Sequence, residues 1–191
     1  MTVNIGGGVK MGLANLLTLA RIALIPLFIF LLMSDAQGAY WRAALVFALA
    51  AVTDSIDGYV ARHYNQVTKL GTFLDPLADK LLITAALVCL VLLQKVPAWI
   101  VVIILAREII ITWLRIAKAR QGVSIPASWS GKFKTVTQIF AIMIIILAPL
   151  YRQFISYPLG TWAIYIAMAI TVISGAEYII KANKDEAAQH L

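Results

Sequence analysis

Four aspartates lie in a short part of the sequence between two strongly apolar runs. Asp54 and Asp57 follow the run RAALVFALAAVT, and Asp75 and Asp79 come just before the run LLITAALVCLVLL. One acid at the centre of a membrane costs about 2.5–3.5 kcal/mol on the scale from insertion experiments, and repulsion between grouped carboxylates adds to that cost. The four acids therefore need protons, basic partners or bound cations.

Each of these solutions predicts a different kind of protein. Protonated acids are typical of a cation or proton transporter, and pairing with Arg62 or Lys80 would make the acids structural. Divalent ions are the third solution, because carboxylate oxygens are hard ligands that suit magnesium, manganese or calcium. Four acids supply enough ligands for two ions, an arrangement that enzymes use to clamp phosphates.

The first two aspartates share a helix face with very small residues. Asp54, Asp57, Gly58 and Ala61 follow i, i+3, i+4, i+7 spacing, which places them on one side of a helix. Glycine and alanine let a ligand or another backbone approach closely. This face is therefore a candidate binding surface.

The second pair is expected on the next helix, which a short polar loop joins to the first. Gly71, Asp75 and Asp79 are spaced i, i+4, i+8, and they share a face if the helix is regular. Pro76 predicts that the regular helix begins only near Asp75, since proline is best tolerated in a first turn. The short loop makes the two helices antiparallel neighbours, so both acid pairs are expected at the same depth.

Composition places these helices in a membrane. Of the 191 residues, 62% are hydrophobic and only 13% are charged, whereas a soluble domain has about 25% charged residues. We predict a single all-α integral membrane domain over residues 1–191. Its six transmembrane helices, each of about 17–25 residues, are predicted near 14–33, 40–61, 72–93, 97–117, 132–150 and 158–180.

Basic residues give the orientation. With six spans the two termini share a side, and of the 16 lysines and arginines only Arg42, Lys95 and Arg152 fall on the other side. The positive-inside rule then places both termini in the cytoplasm. The protein is predicted in the cell (inner) membrane. Because these charges lie at membrane boundaries, the expected partners are lipid headgroups and not nucleic acid. Beyond the cytoplasmic half the spans are mostly Leu, Ile, Val and Ala, which favours a polar cavity facing the cytoplasm over a transport path.

The carboxylate segment resembles a known family. The string DSIDGYVAR, followed eight residues later by GTFLDPLAD, is similar to the signature of the CDP-alcohol phosphatidyltransferases, with every defining position present. The resemblance implies six membrane helices, a homodimer and a site for the pyrophosphate of a CDP-linked lipid. It implies Asp54, Asp57 and Asp75 as ligands of two Mg²⁺ or Mn²⁺ ions. Asp79 would join the metal site and act as the base for the acceptor hydroxyl. The residues implied in the cytidine–pyrophosphate pocket are Gly58, Ala61, Arg62 and Gly71.

Other segments bear on the acceptor alcohol. GLANLLTLARI, AREIIITWLR and SGKFKTVTQ resemble the bacterial phosphatidylglycerophosphate synthase branch of the family. That branch transfers the phosphatidyl group from CDP-diacylglycerol to glycerol 3-phosphate, giving phosphatidylglycerophosphate and CMP. Phosphatidylglycerol, inositol phosphate and serine remain alternative acceptors within the family.

Four basic residues at the cytoplasmic ends of the fourth and fifth helices suit a phosphate-bearing acceptor. Acids alone would repel such a substrate, so cations are needed to bind its phosphate. The alternative is ordinary positive-inside charge in contact with lipid. Glu108 is predicted to pair with a nearby base. The four candidates are Arg107, Arg115, Lys132 and Lys134.

Two alternative roles are predicted for each of three uncharged polar residues. Asn15 and Thr18 on the first helix are candidates for contact with the headgroup of the donor lipid, or for a hydrogen bond between helices. Gln138 on the fifth helix either contacts substrate or joins two helices.

Overall fold

Helices make up almost all of the described chain. The computed structural model describes residues 3–4, 10–11, 13–63, 69–120 and 129–189, and side chains at 18–53, 78, 80–118, 131 and 133–182. Beside a two-residue antiparallel pair, β1 (Val3–Asn4) with β2 (Lys10–Met11), this part of the chain is helical, which confirms the all-α prediction. The helices are α1 (Leu13–Met33), α2 (Ala39–His63), α3 (Lys69–Leu92), α4 (Ala98–Arg120), α5 (Trp129–Ile146), α6 (Ala148–Tyr151) and α7 (Leu159–Gln189).

One described helix is clearly long and apolar enough to cross a membrane. It is the part of α7 from Leu159 to Ala182, which has 24 residues. Helix α4 has 23 residues, but it carries Arg107, Glu108 and Arg115 within its apolar run. The six-span arrangement therefore stays a prediction. Shorter apolar helical stretches are Thr18–Met33, Ala39–Thr53, Lys80–Leu92 and Phe133–Ile146.

Three helix boundaries differ from expectation, and proline is involved in two of them; the third is the end of α7, which lies at Gln189 and not near residue 180. Helix α3 begins at Lys69 and not near Asp75, so it continues through Pro76 although proline removes one intrahelical hydrogen bond there. Gly71, Asp75 and Asp79 therefore lie along one continuous helix. The fifth predicted span ends early, at Ile146. Pro149 follows in the first turn of the separate helix α6, where its missing N–H costs nothing.

The chain divides into two compact units, and the first comprises Met1–Cys89 with Pro149–Gln153. In this unit α1 packs on α2, and the buried rings of Phe28 and Phe47 lie 5.4 Å apart, centroid to centroid. The turn between the two helices depends on Gly38. Its φ is +75°, and a Cβ there would lie 2.7 Å from Nε1 of Trp41, so only glycine fits.

The second unit comprises Leu90–Ala148 and Phe154–Leu191. Here α7 packs against both α4 and α5. Gly160 brings α7 close to α5, since a Cβ at this position would lie 3.0 Å from Cγ1 of Ile145. The prediction of a single domain over residues 1–191 stays a prediction. The core of the second unit includes the buried isoleucines Ile100, Ile104, Ile142, Ile146 and Ile164.

Candidate functional site

The four aspartates lie on two helices of the first unit. Asp54 and Asp57 belong to α2, and Asp75 and Asp79 belong to α3. Their spacing of three and four residues puts each pair on one helix face. Their side chains lie outside the described residues, as do those of Asn15, Gly58, Ala61, Arg62 and Gly71.

The donor chemistry of this set fits a divalent ion, because four carboxylates supply only hard oxygen ligands. Among the side chains that the structure describes, no group of three or more His, Cys, Asp or Glu could hold a metal. The four aspartates are outside that set, so their role as ligands stays a prediction.

Helix α1 contributes two completely buried polar side chains to the first unit. Thr18 and Arg21 are three residues apart, and neither is exposed. Arginine is rarely buried to this extent unless it is paired. The predicted contact between Thr18 and the donor headgroup stays a prediction.

The second unit holds the best-described charged group, which links α4 to α5. Glu108 Oε1 accepts a hydrogen bond from Lys134 Nζ and one from Arg107 Nη1 at 3.3 Å. The exposed fractions of the side chains are 13% for Arg107, 21% for Glu108 and 10% for Lys134. The predicted pairing of Glu108 with a base is thus confirmed, and two of the four candidate cations meet on one carboxylate.

Arg107 is also held by α7. Its Nη2 donates to Ser174 Oγ at 2.7 Å, and its stem lies against Gly175. A Cβ at Gly175 would lie 3.0 Å from Nε and 3.1 Å from Cγ of Arg107. The Nε itself is buried and has no hydrogen-bond partner among the described residues. The guanidinium is therefore placed by contacts with two helices.

Arg115 lies on α4 two turns after Arg107 and is exposed. Its guanidinium carbon stands 5.6 Å from the centroid of the Tyr178 ring on α7, within the range of a cation–π interaction. The side chain of Lys132 lies outside the described residues. We call Arg107, Arg115 and Lys134, together with Glu108, the basic cluster. Three cations and one carboxylate give this cluster a net positive formal charge, which favours an anionic ligand.

Gln138 joins two helices. Its Nε2 donates to Thr171 Oγ1 at 2.9 Å, and Thr171 Oγ1 donates to the carbonyl of Ala167 at 2.6 Å. Both side chains are buried. Of the two readings of Gln138, this geometry favours the link between α5 and α7.

Sequence reasoning missed the contribution of α7. Thr171, Ser174, Gly175 and Tyr178 are spaced i, i+3, i+4, i+7, the same spacing that drew attention to Asp54 on α2. In a helix otherwise rich in Ile and Ala, this polar and small face was a usable signal.

Comparison with known proteins identifies the family. A family model described as CDP-alcohol phosphatidyltransferase matches residues 11–173. The CDP-diacylglycerol–glycerol-3-phosphate 3-phosphatidyltransferase of Bacillus subtilis is 41% identical over 181 residues, covering 88% of this chain and 94% of the relative. A protein of the same name from Rickettsia bellii is 40% identical over 173 residues, covering 90% and 96%. The one from Pectobacterium atrosepticum is 37% identical over 182 residues, covering 92% and 97%. The chain belongs to the CDP-alcohol phosphatidyltransferase family and is a phosphatidyltransferase.

Proposed function

We propose that this enzyme transfers the phosphatidyl group from CDP-diacylglycerol to glycerol 3-phosphate, releasing CMP and phosphatidylglycerophosphate. The observation that carries the proposal is the basic cluster, in which Arg107 and Lys134 are gathered on Glu108. A phosphate on the acceptor accounts for these cations, whereas an uncharged alcohol does not. The names of the three relatives, which include the same donor and acceptor, support it.

The donor is assigned to the first unit. Asp54, Asp57, Asp75 and Asp79 would hold two Mg²⁺ or Mn²⁺ ions, which when bound neutralise charge on the pyrophosphate. The small residues beside the acids leave space for the nucleotide to approach the backbone. Residues assigned to the CDP-lipid pocket are Asn15, Thr18, Gly58, Ala61, Arg62 and Gly71.

The acceptor phosphate is assigned to Arg107, Arg115, Lys132 and Lys134. Arginine offers paired N–H groups that match phosphate oxygens, and lysine adds a compact charge. The hydroxyl oxygen of the acceptor forms a bond to the phosphorus that carries diacylglycerol, and the bond from that phosphorus to CMP breaks. Asp79 accepts the proton of the hydroxyl.

The choice of acceptor is tested with the purified full-length enzyme. CDP-diacylglycerol and magnesium are supplied, and CMP release is followed with one acceptor at a time. We expect rapid release with glycerol 3-phosphate and little with phosphatidylglycerol, inositol phosphate or serine. Preferential use of serine or phosphatidylglycerol would contradict the acceptor assignment, while the family membership would stand.

The arrangement in the membrane is a further part of the proposal. We place six spans in the cell membrane, with both termini in the cytoplasm and the active cavity on that side, in a homodimer. In a Cys89→Ala background, cysteines at Gln37 and Gln153 should react with an impermeant thiol reagent added to intact cells. A cysteine at Lys181 should react only after the cells are opened.

All three positions are exposed in the structure, so a difference in labelling should report the side of the membrane and not burial of the side chain. Labelling of Lys181→Cys in intact cells would contradict the orientation. Crosslinking in native membranes that yields only monomer would contradict the homodimer.

A further inference from the structure

One face of α7 combines small and polar residues, and each of them contacts α4 or α5. This α7 polar face consists of Thr171, Ser174, Gly175 and Tyr178, all of them buried. Thr171 accepts from Gln138, and Tyr178 lies under Arg115. Two residues of the face meet the same side chain, because both Ser174 and Gly175 contact Arg107.

Gly175 fixes where the stem of Arg107 can lie. A Cβ at this position would come within 3.0 Å of Nε and 3.1 Å of Cγ, and the second distance is shorter than the optimal separation of about 3.5–4.0 Å between carbon atoms. To admit a methyl group there, the stem of Arg107 must move by a few tenths of an ångström. The guanidinium moves with the stem, since the tight packing around a buried side chain leaves few alternative rotamers.

Ser174 fixes the other end of Arg107. Its hydroxyl accepts from Nη2 at 2.7 Å, while Nη1 is directed at Glu108. These two contacts from different helices set both the position and the plane of the guanidinium. The contact with Ser174 is a charge-assisted hydrogen bond, which is stronger than one between neutral groups.

We propose that Ser174 and Gly175 are positioning residues, which act through Arg107 to set the affinity for the phosphate of the acceptor. The inference rests on the proposed function, in which Arg107 binds that phosphate. Ser174 and Gly175 directly follow the region 11–173 that matches the family model, so the match itself gives them no role.

The experiment measures CMP release by the full-length enzyme while glycerol 3-phosphate and CDP-diacylglycerol are varied separately. Gly175→Ala and Ser174→Ala should each raise the KM for glycerol 3-phosphate about tenfold, as expected for a weakened charge-assisted hydrogen bond. The kcat and the KM for CDP-diacylglycerol should stay near their original values. Ser174→Thr keeps the hydroxyl and should retain most of the affinity for the acceptor.

The same helix offers a matched control for each change. Gly160→Ala adds a methyl group at the same distance, 3.0 Å, from a neighbouring atom, but that atom is Cγ1 of Ile145. Thr171→Val removes a buried hydroxyl that serves Gln138 instead of Arg107. Both controls should leave the KM for glycerol 3-phosphate unchanged. An equal rise of this KM in Gly160→Ala and Gly175→Ala would overturn the inference, because general overpacking would then explain both.

A double-mutant cycle separates this inference from the proposed function. Arg107→Ala removes the atoms that a methyl group at Gly175 would meet, so adding Gly175→Ala to it should raise the KM no further. A KM that rises with Arg107→Ala but not with Ser174→Ala or Gly175→Ala would overturn the positioning role alone. A KM that Arg107→Ala leaves unchanged would remove the acceptor role of Arg107, and the inference with it.

Discussion

Asparagine in place of Asp54, Asp57 or Asp75 is expected to abolish nearly all release of CMP. Asparagine keeps the size of the side chain but removes the negative charge that a divalent ion requires. The stabilisation supplied by such an ion amounts to several kcal/mol, so we expect rates to fall by about 10³-fold or more. The measurement is CMP release from CDP-diacylglycerol and glycerol 3-phosphate by membranes that contain equal amounts of each variant.

Asp35→Asn provides the matched control. Asp35 is an exposed acid in the loop between α1 and α2, and its loss should not change the rate. Excess chelator should abolish activity in the unchanged enzyme, and added magnesium should restore it. Full turnover in excess chelator would contradict the two-metal proposal.

Asp79→Asn separates the two roles given to Asp79. If Asp79 is the base, the variant should slow the chemical step far more than it weakens binding of the CDP-lipid. The dependence of the remaining rate on pH should also change. Equal losses of metal affinity and of rate would make Asp79 a ligand only.

Arg107→Ala is expected to weaken binding of the acceptor strongly and binding of the donor little. Removing one partner of a desolvated ion pair costs about 2–5 kcal/mol, which corresponds to a rise of roughly 30-fold to several thousand-fold in the KM for glycerol 3-phosphate. Arg107→Lys keeps the charge but loses the two-sided contact with Glu108 and Ser174, so its KM should be intermediate.

Lys181→Ala is the control for the loss of a cation. Lys181 also lies in the second unit, but it is exposed and pairs with Glu177 one turn away at 2.6 Å. Exposed pairs of this kind contribute little, and neither KM should change. A rise in the KM for CDP-diacylglycerol in Arg107→Ala, with the KM for glycerol 3-phosphate unaltered, would assign Arg107 to the donor instead.

The sequence predicts the helices well because apolar runs of this length leave few other structures. The bounds of α1, α2, α4 and the start of α7 fall close to the predicted spans. Two of the errors involve prolines, and the third is the end of α7, which extends to Gln189 and not only to about residue 180. Composition alone does not predict whether a helix continues through a proline, as α3 does at Pro76, or ends before it, as α5 does before Pro149.

The two groups of candidate site residues, the aspartates and the basic cluster, are predictable to different degrees. The aspartates stand out because acids at helical spacing are rare in an apolar chain. The pairing of Glu108 is predictable from the need to compensate a carboxylate among apolar residues. The partners on α7 are harder to find, since the serine and glycine that hold Arg107 lie 67 or more positions away in the chain and carry no charge.

One carboxylate oxygen, Oε1 of Glu108, pairs with both Arg107 and Lys134. This arrangement affects how the phosphate of the substrate binds and how the product leaves. The product phosphatidylglycerophosphate keeps the phosphate group that the acceptor brings. Cations without an internal counterion would hold that group equally tightly before and after the reaction, and such uniform binding does not accelerate the chemical step. The phosphate of the acceptor must compete with the Glu108 carboxylate for these cations. When the product leaves, the carboxylate takes the place of its phosphate. In the proposed reaction Glu108 therefore lowers the affinity for the acceptor, and by the same exchange it limits inhibition by the product.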